Sequence, residues 1–123
     1  MVKVSDAELE VLKIIWDKKE VTSVEIIKEL SWSKWNFNTI RTLIKRLQNK
    51  GAIKIVDQEG KSYKYAAVFN EEQYKGNLAN ELIKKLYHGS FNEFILTYFE
   101  NENVTLEEKK EILKQIKKRI ESM

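Results

Sequence analysis

The sequence predicts a mainly α-helical fold with one small β-hairpin. Proline is absent and glycine occurs only four times in 123 residues, so few residues interrupt a helix. Five segments with apolar residues at helical spacing begin with Ser, Thr or Asn followed three residues later by Glu or Gln, a pattern that caps helix starts. One region, from residue 52 to 68, alternates with a period of two, as a strand does.

The capping pairs place most of the helix starts. They are Ser5/Glu8, Thr22/Glu25, Asn70/Gln73, Ser90/Glu93 and Thr105/Glu108. The first helix is predicted over residues 6–18, and a short second helix follows Thr22. A third helix runs from Asn36, which can cap it, to about Lys50. It ends at Gly51, because glycine favours the left-handed conformation that follows many helices.

The alternating region is predicted to form a two-stranded hairpin. Residues 52–56 and 61–68 are the strands, and the polar, glycine-containing stretch DQEGK connects them. The alternation puts Ile53 and Ile55 on one face. After this hairpin the helical spacing resumes, so the best domain boundary lies near Asn70.

Three helices followed by a hairpin are the order of a winged helix-turn-helix domain, which we assign to residues 1–69. In this fold the third helix enters the major groove of DNA. The hairpin, or wing, lies along the phosphates. Apolar side chains of the third helix are spaced to pack on the first two helices, and they are Ile40, Leu43, Ile44 and Leu47.

The outward face of the third helix carries side chains suited to DNA. Asn38 suits adenine, Arg41 suits the O6 and N7 atoms of guanine, and the Thr42 methyl group can meet a thymine methyl group. With Lys45, these residues occupy the part of the helix that usually meets base edges. Phosphate contacts are predicted further along the helix and on the hairpin, from Arg46, Asn49, Lys50, Lys61 and Lys64.

The charge distribution favours a polyanionic partner. The net charge is only +3, but residues 34–64 carry eight Lys or Arg against Asp57 and Glu59. Residues 1–33 carry five basic and seven acidic side chains, and residues 76–123 carry eight of each. A local basic block on a near-neutral chain is typical of DNA binding. A solvated lysine face has the same charge pattern, so the block supports DNA binding only together with the hairpin.

Residues 70–123 are predicted to form a helical dimerisation domain. The stretch FNEFILTYF is too apolar to remain in water, and about 50 residues make a poor isolated core. A second copy of the chain would bury this stretch and would present two recognition helices to a two-fold symmetric operator. The expected interface residues are Leu82, Leu86, Phe91, Phe94, Ile95, Tyr98, Phe99, Leu113 and Ile116. Packing of these helices on the chain's own first domain is the alternative.

Composition argues against an enzyme, a metal site and a membrane protein. Cysteine is absent, which excludes disulfides and thiolate metal sites, and no cofactor is expected. His88, the single histidine, lies beside a glycine at a predicted helix end, where capping explains it. The sequence contains no glycine-rich phosphate loop, no signal-like apolar run and no stretch of about 18 apolar residues, so a cytoplasmic location is expected.

The main alternative function is a winged-helix adaptor that binds proteins and not DNA, because a fold does not fix a function. The basic block argues against it. The tryptophans do not separate the two functions. Trp16 is predicted in the core, and Trp32 and Trp35 are predicted to pack beside the third helix, although an exposed indole N–H could reach a phosphate.

Three segments carry a family resemblance: EVLKIIWDKK (10–19), TIRTLIKRLQNKG (39–51) and KLYHGSFNEFILTYF (85–99). In this order they closely resemble the penicillinase-repressor family, the BlaI/MecI type, over nearly the whole chain. The resemblance implies a bacterial repressor that binds palindromic operators ahead of β-lactam-resistance genes. It also implies a membrane sensor of β-lactams that leads to proteolysis of the dimerisation helices.

The resemblance also assigns roles to individual residues. The family's operator-contacting positions fall at Asn38, Thr39, Arg41, Thr42 and Arg46, and its cleaved bond falls between Thr97 and Tyr98. A copper-responsive branch uses carboxy-terminal cysteines, so the absence of cysteine disfavours that branch here.

The chain differs from the family pattern in two places. Family members commonly have Ser-Pro-Lys where this chain has Asn-Phe-Asn at residues 36–38, a difference that bears on operator preference. Known cleavage sites carry Asn-Phe where this chain has Thr97 and Tyr98, a difference that bears on which protease or signal acts.

Overall fold

The first half of the chain folds in the predicted order of three helices and a hairpin. A computed structural model describes residues 2–33 and 35–123. The elements of this half are α1 Asp6–Lys18, β1 Val21–Thr22, α2 Ser23–Glu29, α3 Phe37–Asn49, β2 Ile53–Glu59 and β3 Ser62–Ala67. The helical content, the small sheet and their order confirm the predicted fold class.

Side-chain oxygens start the helices at the predicted positions. Each N-cap oxygen accepts the amide of the residue three positions later, which satisfies one of the orphan N–H groups of the first turn. In the first three helices the N-cap residues are Ser5, Thr22 and Asn36. The carboxylate or amide of the third residue returns the bond in two of the five predicted boxes, Thr22/Glu25 and Asn70/Gln73. At the other end, α3 stops before Gly51, whose φ of +79° suits glycine.

The hairpin belongs to a three-stranded antiparallel sheet, not to the isolated two-stranded unit that the sequence predicts. Strand β3 lies between β1 and β2, and β1 pairs with it at Val21–Tyr65 and Thr22–Lys64. Strand β1 has only two residues, too few for an alternating pattern to be visible. The predicted connection was also too long, because β2 continues to Glu59 and the turn is formed at Gly60, whose φ is +60°.

The outer part of the hairpin leaves the core. Of the seven residues of β2 only Ile53 is buried. Ile55 is 40% exposed, and the pairing register shifts between Ile55 and Asp57, as it does at a β-bulge. The pairing is regular from Ile53 to Ile55, so these two residues keep the shared face that the alternation predicts, but only Ile53 is covered by the core.

One hydrophobic core holds α1, α2, α3 and the sheet together. Its largest fully buried side chains come from all three helices and from β1, and they are Leu12, Ile15, Ile26, Ile40, Leu47, Val11 and Val21. Burying each of these side chains contributes about 1.5–3 kcal/mol. The four apolar residues predicted on the inner face of α3 are all less than 5% exposed. That face is therefore fixed, and the opposite face of α3 is oriented outward.

The first compact unit covers residues 1–77 and includes the beginning of α4, which spans Glu71–Leu86. Trp16 is partly buried against the core, as predicted, and so is Trp35. Trp32 is 79% exposed, so the prediction that it packs is wrong. It lies in the link between α2 and α3, where most of its indole ring contacts solvent.

The second compact unit covers residues 78–123 and contains the rest of α4, α5 over Phe91–Phe99 and α6 over Leu106–Glu121. Ser90 caps α5 and Thr105 caps α6, in each case with the side-chain oxygen on the third amide. No residue of α5 or α6 is fully buried. The unit therefore leaves most of its apolar side chains in contact with solvent.

Candidate nucleic-acid interface

The outward face of α3 is polar, basic and free of acidic side chains. Six of the predicted DNA-contacting residues lie on it, and all six are exposed: Asn38, Thr39, Arg41, Thr42, Lys45 and Arg46. The first turn of α3 contains no acidic residue either, although acidic side chains usually stabilise that position. Within residues 2–33 and 35–123, no ion pair involves Arg41, Lys45 or Arg46. These cations are available to a polyanion.

Two contacts within α3 orient side chains on this face. The Arg41 guanidinium lies over the Phe37 ring, with its central carbon 5.6 Å from the ring centroid. This distance is typical of a cation–π contact. The Thr42 hydroxyl donates to the Asn38 carbonyl at 3.0 Å, which leaves the methyl group and the oxygen lone pairs for other partners. The contribution of Phe37 was not predicted, although its spacing of four residues from Arg41 was a signal for it.

A groove of about 490 Å³ joins α3 to the hairpin. Its lining combines three basic side chains with hydroxyl groups and an apolar floor, and contains no acidic residue: Ser23, Val24, Arg41, Ile44, Lys45, Gln48, Lys61, Ser62, Tyr63 and Tyr65. The groove thus brings predicted residues from α3 and from the hairpin together. Ser23, from the start of α2, is a lining residue that the sequence reasoning missed.

The two predicted hairpin lysines differ in their surroundings. Lys61 is exposed in the turn, and no ion pair of the part of the chain that the structure describes includes it. The Lys64 ammonium lies 3.7 Å from a carboxylate oxygen of Glu59 on the neighbouring strand. An exposed pair of this kind is weak and easily exchanged for another anion. Lys34, which also counts in the basic block, lies outside the described residues.

Lys50 has a structural partner. Its Nζ donates to Glu8 Oε1 at 2.7 Å and to the Lys3 carbonyl at 2.9 Å. Glu8 is only 3% exposed, and its second oxygen has no hydrogen-bond partner among the described residues. Burial raises the pKa of Glu8, but the hydrogen bonds from Lys50 and Ser5 and the charge of Lys50 outweigh it, so the pKa lies below its usual value. Lys50 therefore ties the end of α3 to α1, and this geometry favours a structural role over a phosphate contact.

The second unit exposes the side chains that the sequence assigns to dimerisation. Six of them are between 41% and 62% exposed: Leu82, Leu86, Phe91, Tyr98, Leu113 and Ile116. The other three, Phe94, Ile95 and Phe99, are half-buried. The Phe94 ring of α5 meets the ring of Tyr87, which follows the end of α4, edge to face with 5.4 Å between centroids. An exposed apolar surface of this extent on one unit is typical of a protein–protein interface.

The Thr97–Tyr98 bond lies inside α5, two residues before the helix ends. The Thr97 hydroxyl donates to the Glu93 carbonyl at 2.9 Å, one turn earlier. Tyr98 is 41% exposed. The bond is therefore in a helical conformation, in the last turn of a helix without buried residues.

Residues 2–33 and 35–123 contain no membrane-spanning helix and no metal-binding cluster. None of the helices in this part of the chain is long and apolar enough to cross a bilayer. The same residues contain no group of three or more His, Asp or Glu side chains placed to hold a metal ion.

Comparison with known proteins identifies the family. Residues 4–118 match the family model described as Penicillinase repressor. The chain is 36% identical to a penicillinase repressor of Bacillus licheniformis, over 89% of this chain and 86% of that protein. It is 37% identical to the methicillin resistance regulatory protein MecI of Staphylococcus aureus strain N315, over 89% of each chain.

A solved structure shares the fold of the first unit. The solution structure of Bacillus licheniformis BlaI, in its monomeric form in complex with the blaP half-operator, superimposes with a TM-score of 0.50 and 41% identity. The match covers 58% of this chain and 88% of that one. A family model matched over most of the chain and relatives of this identity lead to one conclusion: the chain belongs to the penicillinase repressor family.

Proposed function

We propose that this protein is a homodimeric transcriptional repressor that binds a palindromic DNA operator through α3 and the hairpin. The observation that carries the proposal is the two-sided character of α3. One face is less than 5% exposed, and the other is exposed and basic and has no ion pair with any of the residues that the structure describes. The complex of BlaI with the blaP half-operator supports it, because that domain shares the fold and 41% of the aligned residues.

The chemistry of α3 allows direct reading of base edges. Arg41 can donate two hydrogen bonds to guanine O6 and N7, and the Phe37 ring beneath it restricts the guanidinium to fewer orientations. Asn38 can pair with adenine N6 and N7, and the Thr42 methyl group can contact thymine. Thr39, Lys45 and Arg46 are assigned to the backbone phosphates.

The hairpin and the groove extend this contact along one DNA strand. Lys61 and Lys64 lie on the hairpin, and the groove between it and α3 offers cations and hydroxyl groups as donors. Backbone contacts of this kind position a protein on the duplex without reading its sequence. We therefore assign sequence-independent affinity to the hairpin together with the phosphate-contacting residues of α3, and specificity to the residues of α3 that meet base edges.

Dimerisation is assigned to the exposed apolar side chains of the second unit. Each large apolar side chain that a partner covers contributes about 1.5–3 kcal/mol before the cost of association. Six such side chains are more than 40% exposed in the single chain, so a second copy has enough surface to bind. Two copies present two α3 helices, which matches a two-fold symmetric operator.

Family membership supports a proposal for the regulated genes and for the release of repression. We assign the protein to the control of β-lactam-resistance-type genes, with a membrane sensor pathway that leads to cleavage of the Thr97–Tyr98 bond. Cleavage there would separate α6 from the DNA-binding unit and weaken the dimer. A Thr97→Pro variant tests this step, because the proline ring changes the backbone at the proposed cleavage position. The cleaved fragment should disappear from β-lactam-treated cells. Cleavage that persists at this position would contradict the assignment.

Selection of duplexes from a random-sequence library tests the DNA-binding function. The expected result is one palindromic sequence, bound with an affinity that falls steeply as salt rises, because each neutralised phosphate releases counterions. An Arg41→Ala, Arg46→Ala double variant should lose at least about tenfold in affinity. A Lys13→Ala, Lys18→Ala double variant removes two cations from α1 and serves as the matched control. Recovery of no sequence, or equal affinity of both folded variants, would contradict the proposal and favour a protein-binding adaptor.

A further inference from the structure

Three aromatic side chains form a cluster that joins α1 to the beginning of α4; we name it the aromatic latch. Trp16, Phe69 and Tyr74 contact one another with ring centroids 5.6–6.5 Å apart. The Phe69 and Tyr74 rings are nearly parallel, with an interplanar angle of 12°. The Trp16 indole also donates from Nε1 to the Phe69 carbonyl at 2.9 Å. All three residues belong to the first compact unit.

The aromatic latch provides most of the packing that holds the start of α4 on the first unit. Tyr74 is 7% exposed, while every residue of α4 from 75 to 82 is exposed. The reciprocal cap between Asn70 and Gln73 sets the first turn of the helix, at 2.8 and 2.9 Å. Tyr74 is thus the one side chain in the first nine positions of α4 that is buried against the first unit.

We propose that the aromatic latch is a positioning device that sets the direction in which α4 leaves the DNA-binding unit. The inference rests on the proposed function, because direction matters only if a second copy binds the other half of a palindrome. A helix of 16 residues is about 24 Å long, so a change of about 10° at its start moves its end by about 4 Å. That displacement exceeds the length of a hydrogen bond, so a loosened latch would misplace one α3 on its half-site.

The latch should therefore affect binding to two half-sites and not to one. A single DNA-binding unit needs no particular direction of α4 to occupy a half-operator. Two linked units gain affinity only when both reach their sites together, a gain that geometry can remove completely. The latch should also make binding sensitive to the distance between half-sites.

Trp16→Phe tests this inference, since phenylalanine stays apolar but cannot donate to the Phe69 carbonyl. Tyr74→Leu removes the stacked ring and keeps a good helix former of similar volume. Tyr74→Phe is the matched control, because it keeps the ring that stacks on Phe69 and removes only the hydroxyl group. The probes are the duplex recovered by selection, its half-site alone, and versions with one or two base pairs added between the half-sites.

Both latch variants are expected to bind the half-site within about twofold of the unaltered chain. Their affinity for the whole operator should fall by at least about tenfold, and their preference for the selected spacing should become smaller. The control should match the unaltered chain on every duplex. Thermal unfolding of each variant shows whether the fold persists.

Three results would overturn the inference. Unchanged whole-operator affinity and spacing preference in both latch variants would show that the latch sets no direction. Equal losses on half-site and whole operator would assign the three rings to folding alone. Failure of the unaltered chain to bind any duplex would contradict the proposed function itself, and the latch inference would fall with it.

Discussion

Replacing Lys50 with methionine is expected to destabilise the first unit without changing the number of DNA phosphates that the protein neutralises. Methionine keeps an unbranched apolar stem and removes the ammonium group that lies 2.7 Å from Glu8 Oε1. Glu8 stays buried in the variant, so its carboxylate loses its charged partner. The hydrogen bond from Lys50 to the Lys3 carbonyl is lost as well.

The expected cost follows from the exposure of the two partners. Removing one member of a fully buried ion pair costs about 3–5 kcal/mol. Glu8 is 3% exposed, but the Lys50 side chain is 37% exposed, so water screens part of the interaction. We therefore expect a loss of about 2 kcal/mol in the free energy of unfolding near neutral pH.

The loss should depend on pH in a defined direction. In the unaltered chain the pKa of Glu8 is below 4.5, although burial alone raises it, because Lys50 and Ser5 stabilise the carboxylate. This pair therefore stabilises the fold above the pKa of the unfolded chain, and its contribution disappears as the pH falls through the lower, folded-state pKa. In the variant, burial acts without the lysine and raises the pKa of Glu8. The difference in the free energy of unfolding between the two chains should therefore begin to shrink as the pH falls through that raised pKa, and it should shrink further as the pH falls through the lowered pKa of the unaltered chain.

Urea unfolding near neutral pH and below pH 4.5 tests this prediction. The Glu8→Gln variant and the double variant complete a double-mutant cycle. The slope of operator affinity against salt provides the second readout. A phosphate contact by Lys50 would lower that slope by about 0.9 when the lysine is removed. An unchanged free energy of unfolding together with a lower slope would refute the structural role and support the phosphate contact.

The remaining predictions concern the recognition helix, its end and the dimer. Phe37→Ala should weaken operator binding about threefold, because the Arg41 guanidinium loses the ring beneath it, whereas Phe37→Tyr should keep the affinity. Gly51→Ala should cost about 1–2 kcal/mol in thermal unfolding, because its φ is +79°, although a Cβ would meet no atom within 4 Å. Gly76→Ala, inside α4, should instead stabilise the chain by about 0.5–1 kcal/mol, because alanine is the better helix former. Leu113→Glu should give a monomer by sedimentation analysis, and an unchanged dimer would exclude the exposed face of α6 from the interface.

Short-range signals predicted the helices well. A capping oxygen and the amide that it accepts lie three residues apart, so the starts of α1 and α3 could be placed from the sequence alone. The buried face of α3 repeats within 13 residues, and all four of its predicted members are buried. The orientation of the candidate interface follows from that face, which is why the exposed side of α3 could be identified before the structure.

Contacts between distant residues could not be predicted in the same way. Strand β1 exists because Val21 and Thr22 meet β3 more than 40 positions later, and two residues carry no period of their own. Lys50 pairs with Glu8 across 42 positions, whereas the spacing of Glu8 from Ser5 predicts only a local capping role for this glutamate. Trp32 was expected to pack beside α3, but most of its indole ring is exposed to solvent in the link between α2 and α3.

The candidate interface itself was predicted only in part. Periodicity identifies which side chains of α3 face outward, but it does not show that Phe37 supports Arg41 or that Ser23 reaches the groove. Those contacts depend on the distance between elements, which the chain fixes through its core. The roles of single residues toward DNA therefore stay predictions until binding is measured.

Methylation interference on the selected operator tests the central claim most directly, because the N7 atom of guanine is reached from the major groove. Methylation of a guanine N7 in each half-site should block the unaltered protein, and Arg41→Ala should no longer distinguish methylated from unmethylated guanine there. Interference confined to adenine N3 in the minor groove, or an identical pattern in the Arg41→Ala variant, would contradict a recognition helix that reads DNA with its exposed face.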